Sequence, residues 1–233
     1  MRIALAYYGL VRPGDGSAFN ADDINAHNQS NVEWCASNMQ LLKSCFEGNE
    51  IDTYLFSWNC KNSQELGKYF DNVMFMKQIS NESAGEILPH RPQAVSTRFV
   101  ATYGEFLGAR QIIRFITNTE IKYDYILFSR PDVRIKLDQG QWLNDYYTCH
   151  GGIDANGKKG TGGFLGIGPY DLVKKIFSIN LQDIHDIFKH SIHAEDAWTR
   201  IIDFSGVEWL PRQEDLYLFQ HRNNVINYKP DKY

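Results

Sequence analysis

The chain opens on an unbroken apolar run, Ile3-Ala4-Leu5-Ala6-Tyr7-Tyr8, the pattern of a strand covered on both faces. Gly9 ends the run, and the stretch from Pro13 to about Asn31, rich in Gly, Asp and Asn, predicts a loop. Trp34, Leu41, Leu42 and Cys45 predict a helix around Val32 to Phe46. Two further strands are expected at Asp52 to Trp58 and Val73 to Met76, with irregular chain from Asn81 to Pro92. From Ser96 to Thr117 the apolar positions Phe99, Tyr103, Phe106, Ala109, Ile113 and Ile116 recur in steps of three and four, which is one face of a helix. Tyr123 to Phe128 predicts the next strand. It must end at Ser129-Arg130-Pro131-Asp132, because proline has no amide hydrogen to give to a ladder.

The second half reads as turn-rich sequence around Gly151 to Gly163, then a short strand at Gly163 to Ile167. A helix with Pro169 at its first position follows to about Phe177, with another at Ala194 to Ile202 and late strands at Val207 to Leu210 and Leu216 to Phe219. Strands alternating with helices imply an α/β fold, a three-layer sandwich around a mostly parallel central sheet. Ligands of such sheets gather beyond the carboxyl ends of the strands. Here those ends carry Gly9, Ser57-Trp58 and Arg130 to Asp132.

Length and composition narrow this further. A chain of 233 residues, 43% hydrophobic and 14% aromatic, suits a single domain with a substantial core. A net charge of -4 argues against a nucleic-acid partner, which favours clustered Lys and Arg. No run approaches the roughly 18 apolar residues of a membrane span, and Met1 to Leu10 lacks the basic flank of a signal peptide. Cys35, Cys45, Cys60 and Cys149 form no CxxC pair, so a reducing, cytoplasmic setting is expected.

The chemistry concentrates in Tyr123 to Asp132, where a buried strand delivers an arginine and an aspartate two residues apart to one mouth. A carboxylate there suits Mg²⁺ or Mn²⁺ bridging a diphosphate, since these ions prefer oxygen ligands; a surface Arg–Asp ion pair is the plainer reading. Taken in order, five segments resemble the GT-A glycosyltransferases of bacterial surface-polysaccharide loci and large DNA viruses. They are Ala4 to Arg12, Asp52 to Trp58, the Ser96 helix, Tyr123 to Asp132, and Gly162-Gly163-Phe164 with Ala194-Glu195-Asp196-Ala197-Trp198. The resemblance implies a GT-A-like, Rossmann-related fold whose nucleotide-sugar-binding half is 1–132 and whose acceptor-side half is 133–233. It implies transfer of a monosaccharide from a nucleoside diphosphate sugar, with a divalent metal, to a glycan or glycoprotein acceptor.

By the same resemblance Gly9 and Arg12 lie against the nucleotide, with Trp58, Arg98, Gly162 and Gly163 also on the donor side. Asp132 takes the place of the last aspartate of the Asp-x-Asp motif. This sequence departs from that motif at Arg130, which stands where the first aspartate is expected; Arg130 then meets the diphosphate directly and leaves Asp132 as a single metal ligand. His221 is a candidate late metal ligand, or a surface histidine. Glu195 and Asp196 are candidates to take the acceptor proton, or a pair of charges favoured at a helix start. Trp198 is either a sugar-stacking residue or core.

Rival signals are weaker. Gly152 to Lys159 approximates a P-loop but lacks the Ser/Thr for Mg²⁺, and no GxGxxG follows the first strand. His185 and His190, five apart, cannot share a helix face as a metallohydrolase pair would. Two other functions keep the same fold: a non-catalytic sugar-nucleotide or glycan binder, or a nucleotidyltransferase, for which Arg12-Pro13-Gly14-Asp15-Gly16 is a thin version of the needed loop.

Overall fold

The apolar opening run becomes β1 (Arg2–Tyr8), the central strand of the parallel half of a seven-stranded sheet. The computed structural model describes residues 1–9, 29–76, 93–131, 133–134, 146–153, 159–191, 194–211 and 220–221. Among them α1 (Gln29–Ser44) precedes β2 (Glu50–Trp58), and α2 (Lys61–Gly67) precedes β3 (Asn72–Met76). The long α3 (Gln93–Thr117) then leads to β4 (Tyr125–Ser129). The second half contributes β5 (Val133–Arg134), β6 (Tyr146–Ile153), β7 (Lys159–Pro169), α4 (Tyr170–Phe177), α5 (Leu181–His190), α6 (Ala194–Ser205), β8 (Trp209–Pro211) and β9 (Gln220–His221).

The strand order is β3-β2-β1-β4-β7-β6-β8, with β5 and β9 in a separate small sheet. Four of the six pairings in the large sheet are parallel, while β7 runs antiparallel to both β4 and β6. One sheet therefore passes through both halves of the chain. The fold is α/β with a mostly parallel central sheet and helices on both faces.

The absence of polar–apolar alternation in β1 follows from that position. Ile3, Leu5 and Tyr7 pack with α1, α2 and Leu127 on one face, while Ala4, Ala6 and Tyr8 pack with α3 and the second-half helices on the other. All six are fully buried. On the α3 side an aromatic group of Phe106, Phe128, Phe177 and Trp198 interlocks edge to face and stacked, with centroids 4.8 to 6.5 Å apart.

The sequence reading and the structure part in the second half. The stretch expected to be turn-rich holds the end of one strand and the start of another in an antiparallel pair: β6 reaches Ile153 and β7 starts at Lys159. The strand expected at Gly163 to Ile167 lies within β7, whose glycine-rich start is hidden from propensity and becomes strand by pairing with β6. Pro169 stands just outside α4, as its N-cap, and α2 and α5 were not foreseen. The residues from Leu216 to Phe219, expected to be a strand, lie outside the described residues. No described helix is long and apolar enough to cross a membrane.

Candidate functional site

In a sheet ordered β3-β2-β1-β4, successive connections run outward from β1 and then return to its other side. The crevice beyond the carboxyl ends of β1 and β4, where the order reverses, is the binding position of open α/β sheets. The described residues converge there from five directions.

Gly9 closes β1 with φ +105, a conformation reserved to glycine. Its amide donates to the Phe56 carbonyl at 3.0 Å, and its carbonyl accepts from the Ser57 hydroxyl at 2.7 Å. Ser57 lies 2.7 Å from Ser63, which lies 3.2 Å from the Cys60 thiol. A carbonyl can only accept and each hydroxyl has one hydrogen, so the chain runs one way, Cys60 to Ser63 to Ser57 to Gly9. Trp58 ends β2 half-buried beside this turn. Met76 at the end of β3 accepts from the Asn59 amide at 2.9 Å.

Beyond β4, Arg130 and Pro131 are both buried and are gripped from opposite faces of the sheet. Arg130 Nη1 donates to Glu105 Oε1 of α3 at 3.0 Å, with side-chain exposures of 11% and 21%. From α1, the fully buried Asn38 donates through Nδ2 to the Pro131 carbonyl at 3.2 Å. Removing one partner of a fully buried ion pair costs roughly 3–5 kcal/mol; the part-exposed Glu105 places this pair below that range. The Asn38 bond to a neutral carbonyl contributes about 0.5–1.5 kcal/mol.

β7 passes this mouth. Leu165 is opposite Ser129, the last rung of β4, and β7 continues from Phe164 back through Gly163 and Gly162 beyond that rung, paired to β6. β5 and β9 complete the surroundings: Val133, the residue after Asp132, is directly opposite His221. Backbone pairing thus brings His221 within one residue of Asp132 in register, although the two are far apart in sequence. Asp132 itself, Arg12, and the side chains of Arg98 and His221 lie outside the described residues. Among the described side chains no cluster of three metal-binding groups occurs.

In the second half of the chain, Glu195 and Asp196 fall in the first turn of α6. Asp196 is ion-paired along the helix with Arg200, at 3.1 and 3.0 Å to its two oxygens; the Glu195 side chain is outside the described residues. Trp198 is 1% exposed and stacks on Phe128 at 6.5 Å, with Phe106 and Phe177 around it. A sugar cannot reach a ring so enclosed, so Trp198 is core, and it seats α6 on β4, the strand that ends at Ser129. His185 packs its ring against Tyr103 at 5.4 Å, and the exposed His190 lies five residues on.

The sequence placed Ser57 at this mouth and gave no sign of Glu105, Ser63 or the partner of Asn38. Asn38 carried a signal, since it lies within an apolar helix stripe with Cys35, Met39 and Leu42, where a polar group must find a partner. Glu105 carried none until Arg130 was placed against it.

No family model matches the sequence, and no curated protein matches it. Solved structures do align with it. Two are of the galactosyltransferase LgtC, one an active-site mutant and one in complex with donor and acceptor sugar analogues. They show 13% and 12% identity and a TM-score of 0.44 in each case, over 90% of this chain and 72% and 73% of theirs. A third is a Desulfovibrio desulfuricans protein provisionally described as a nucleotide-diphospho-sugar transferase, with 9% identity, TM-score 0.39, and coverage of 91% of this chain and 79% of that one. Likeness at this level transfers no chemistry, so the functional reading rests on the residues of this chain.

Proposed function

We propose that the chain is a glycosyltransferase that moves a monosaccharide from a nucleoside diphosphate sugar to a glycan or glycoprotein acceptor. The observation that carries the reading is the switch point between β1 and β4, where Gly9 and the Arg130–Pro131 turn leave neighbouring strands, β7 pairs with β4, and Val133, just after Asp132, pairs with His221. Gly9 and the segment through Arg12 take the nucleotide, flanked by Trp58 and Arg98. Gly162 and Gly163 let the sugar approach the backbone, because they lack the Cβ that would stand in its way.

Asp132 and His221 form the donor set for a divalent cation. The carboxylate suits Mn²⁺ or Mg²⁺, His221 would add a nitrogen donor beside it, and the register of β5 on β9 supports their nearness. When bound, that cation offsets charge on the leaving diphosphate. Arg130 adds positive charge at the same mouth, balanced by Glu105 while no donor is present. Glu195 or Asp196 takes the proton of the attacking acceptor hydroxyl; of the two, Asp196 must do so from within its pair with Arg200.

The test is incubation with UDP-, GDP- and dTDP-sugars plus Mn²⁺, following release of the nucleoside diphosphate. Slow donor hydrolysis, accelerated by a suitable glycan, is expected. Nucleotide binding without turnover would instead make the chain a sugar-nucleotide binder, a reading favoured by Arg130 standing where a metal ligand is expected. No binding and no turnover with any of the donors would remove the proposal.

A further inference from the structure

We infer that Glu105 and Asn38 are positioning residues of the donor site, acting through the Arg130–Pro131 turn on Asp132; this rests on the glycosyl-transfer reading of that mouth. Both are polar groups drawn against the core, Asn38 fully buried and Glu105 part-buried. Asn38 is fully buried in the α1 stripe that packs on β1, among Cys35, Met39 and Leu42. Glu105 stands between the core residues Tyr103 and Phe106 on α3. Polar groups drawn into the protein are bonded, and both of these bond the same dipeptide, from opposite faces of the sheet.

The need for such a grip follows from Pro131. β4 is tied to β1 and β7 as far as Ser129. Pro131 has no amide hydrogen with which to continue the ladder, so the chain would leave the sheet unsupported at the point where it must deliver Asp132. Asn38 donates to the Pro131 carbonyl and holds the exit from one side. Glu105 accepts from the Arg130 guanidinium and holds it from the other. α1 also lies against β5, so the same helix supports the chain on both sides of Asp132. The residues that flank Asp132 are held in place, and a site that needs no reordering on binding holds its ligand more tightly.

The experiment measures affinity for the nucleoside diphosphate, among UDP, GDP and dTDP with Mn²⁺, that the wild type binds most tightly. Calorimetry is run below the melting temperature of every variant. Glu105→Ala and Asn38→Ala are each expected to weaken binding about tenfold or more, a loss of about 1.4 kcal/mol. Glu105→Gln, which keeps the accepting oxygen, should recover most of it. If Glu105 acts through Arg130, adding Glu105→Ala to Arg130→Ala changes affinity by no more than about twofold, the margin within which uncoupled free energies are read. Tyr123→Phe, at the far end of the sheet, is the control for lost stability alone and should bind as the wild type does.

Wild-type affinity in folded Glu105→Ala and Asn38→Ala would overturn the inference and leave the function standing. Tighter binding in Glu105→Ala would overturn it too, because Glu105 would then compete with the diphosphate for Arg130. A wild type that binds none of the three nucleotides would remove both.

Discussion

The two ends of the sheet each carry a one-way chain of hydroxyl groups, and the chains end differently. At the amino end of the parallel strands, the Tyr54 and Tyr123 hydroxyls are 2.5 Å apart, and Tyr123 donates to Asp52 Oδ2 at 2.7 Å. Arg2 neutralises that carboxylate through Nε and Nη2, at 3.0 and 2.9 Å, while its amide donates to Asp124. At the carboxyl end, Cys60, Ser63 and Ser57 pass their hydrogens to the Gly9 carbonyl. The first chain ends on a side chain and ties three strands to one another. The second ends on backbone, at the residue where the chain leaves the sheet for the proposed nucleotide. One end is built to stay shut, and the other to hold an exit in a fixed direction.

The contrast breaks most visibly at Asp132. Asp132→Asn should lower sugar-nucleotide turnover by roughly 10²–10³-fold, the scale of losing one group that stabilises charge in the transition state, with the melting temperature kept within a few degrees. Activity equal to the wild type would move the donor site away from this mouth.

The reverse pattern is expected at the amino end. Tyr123→Phe leaves the Tyr54 hydroxyl and Asp52 without their shared partner and should cost about 1–3 kcal/mol of stability, read by urea denaturation, with turnover per folded molecule unchanged. Burial, then its hydrogen bonds with Tyr54 and Asp52, holds the Tyr123 hydroxyl far above the ordinary tyrosine value. A raised value means the contribution is complete below the unfolded pKa of about 10 and is lost only as pH rises through the folded one. The gap between wild type and Tyr123→Phe should therefore stay constant from pH 6 to 9; a gap that narrows across that range would show that the hydroxyl titrates there.

The smallest effect sharpens the comparison. Ser57→Ala removes one hydroxyl from the carboxyl-end chain, costing about 0.5–1.5 kcal/mol. Because the lost bond fixes the exit at Gly9, nucleotide affinity should fall along with stability. A loss of stability alone would make the two chains alike.

Periodicity settled the first half of this protein. β1 and β4 are legible because each is an apolar run, β2 and β3 because each holds a shorter one, and the long α3 because it repeats every three to four residues. That legibility has a physical source: burial on both faces of a parallel sheet demands continuous apolar sequence, and burial on one helix face demands a stripe. Pro131 likewise dictated where β4 ends. Local pattern showed β7 only at Gly163 to Ile167 and not at its glycine-rich start, which is strand because β6 pairs with it, nor could it show the enclosure of Trp198, which depends on aromatic rings from three other elements. Least visible were the contacts across the mouth. Glu105 on Arg130, Asn38 on Pro131 and His221 opposite Val133 join residues with no sequence relation, because hydrogen bonds between elements depend on how helices and strands pack, and packing is decided by the whole chain at once.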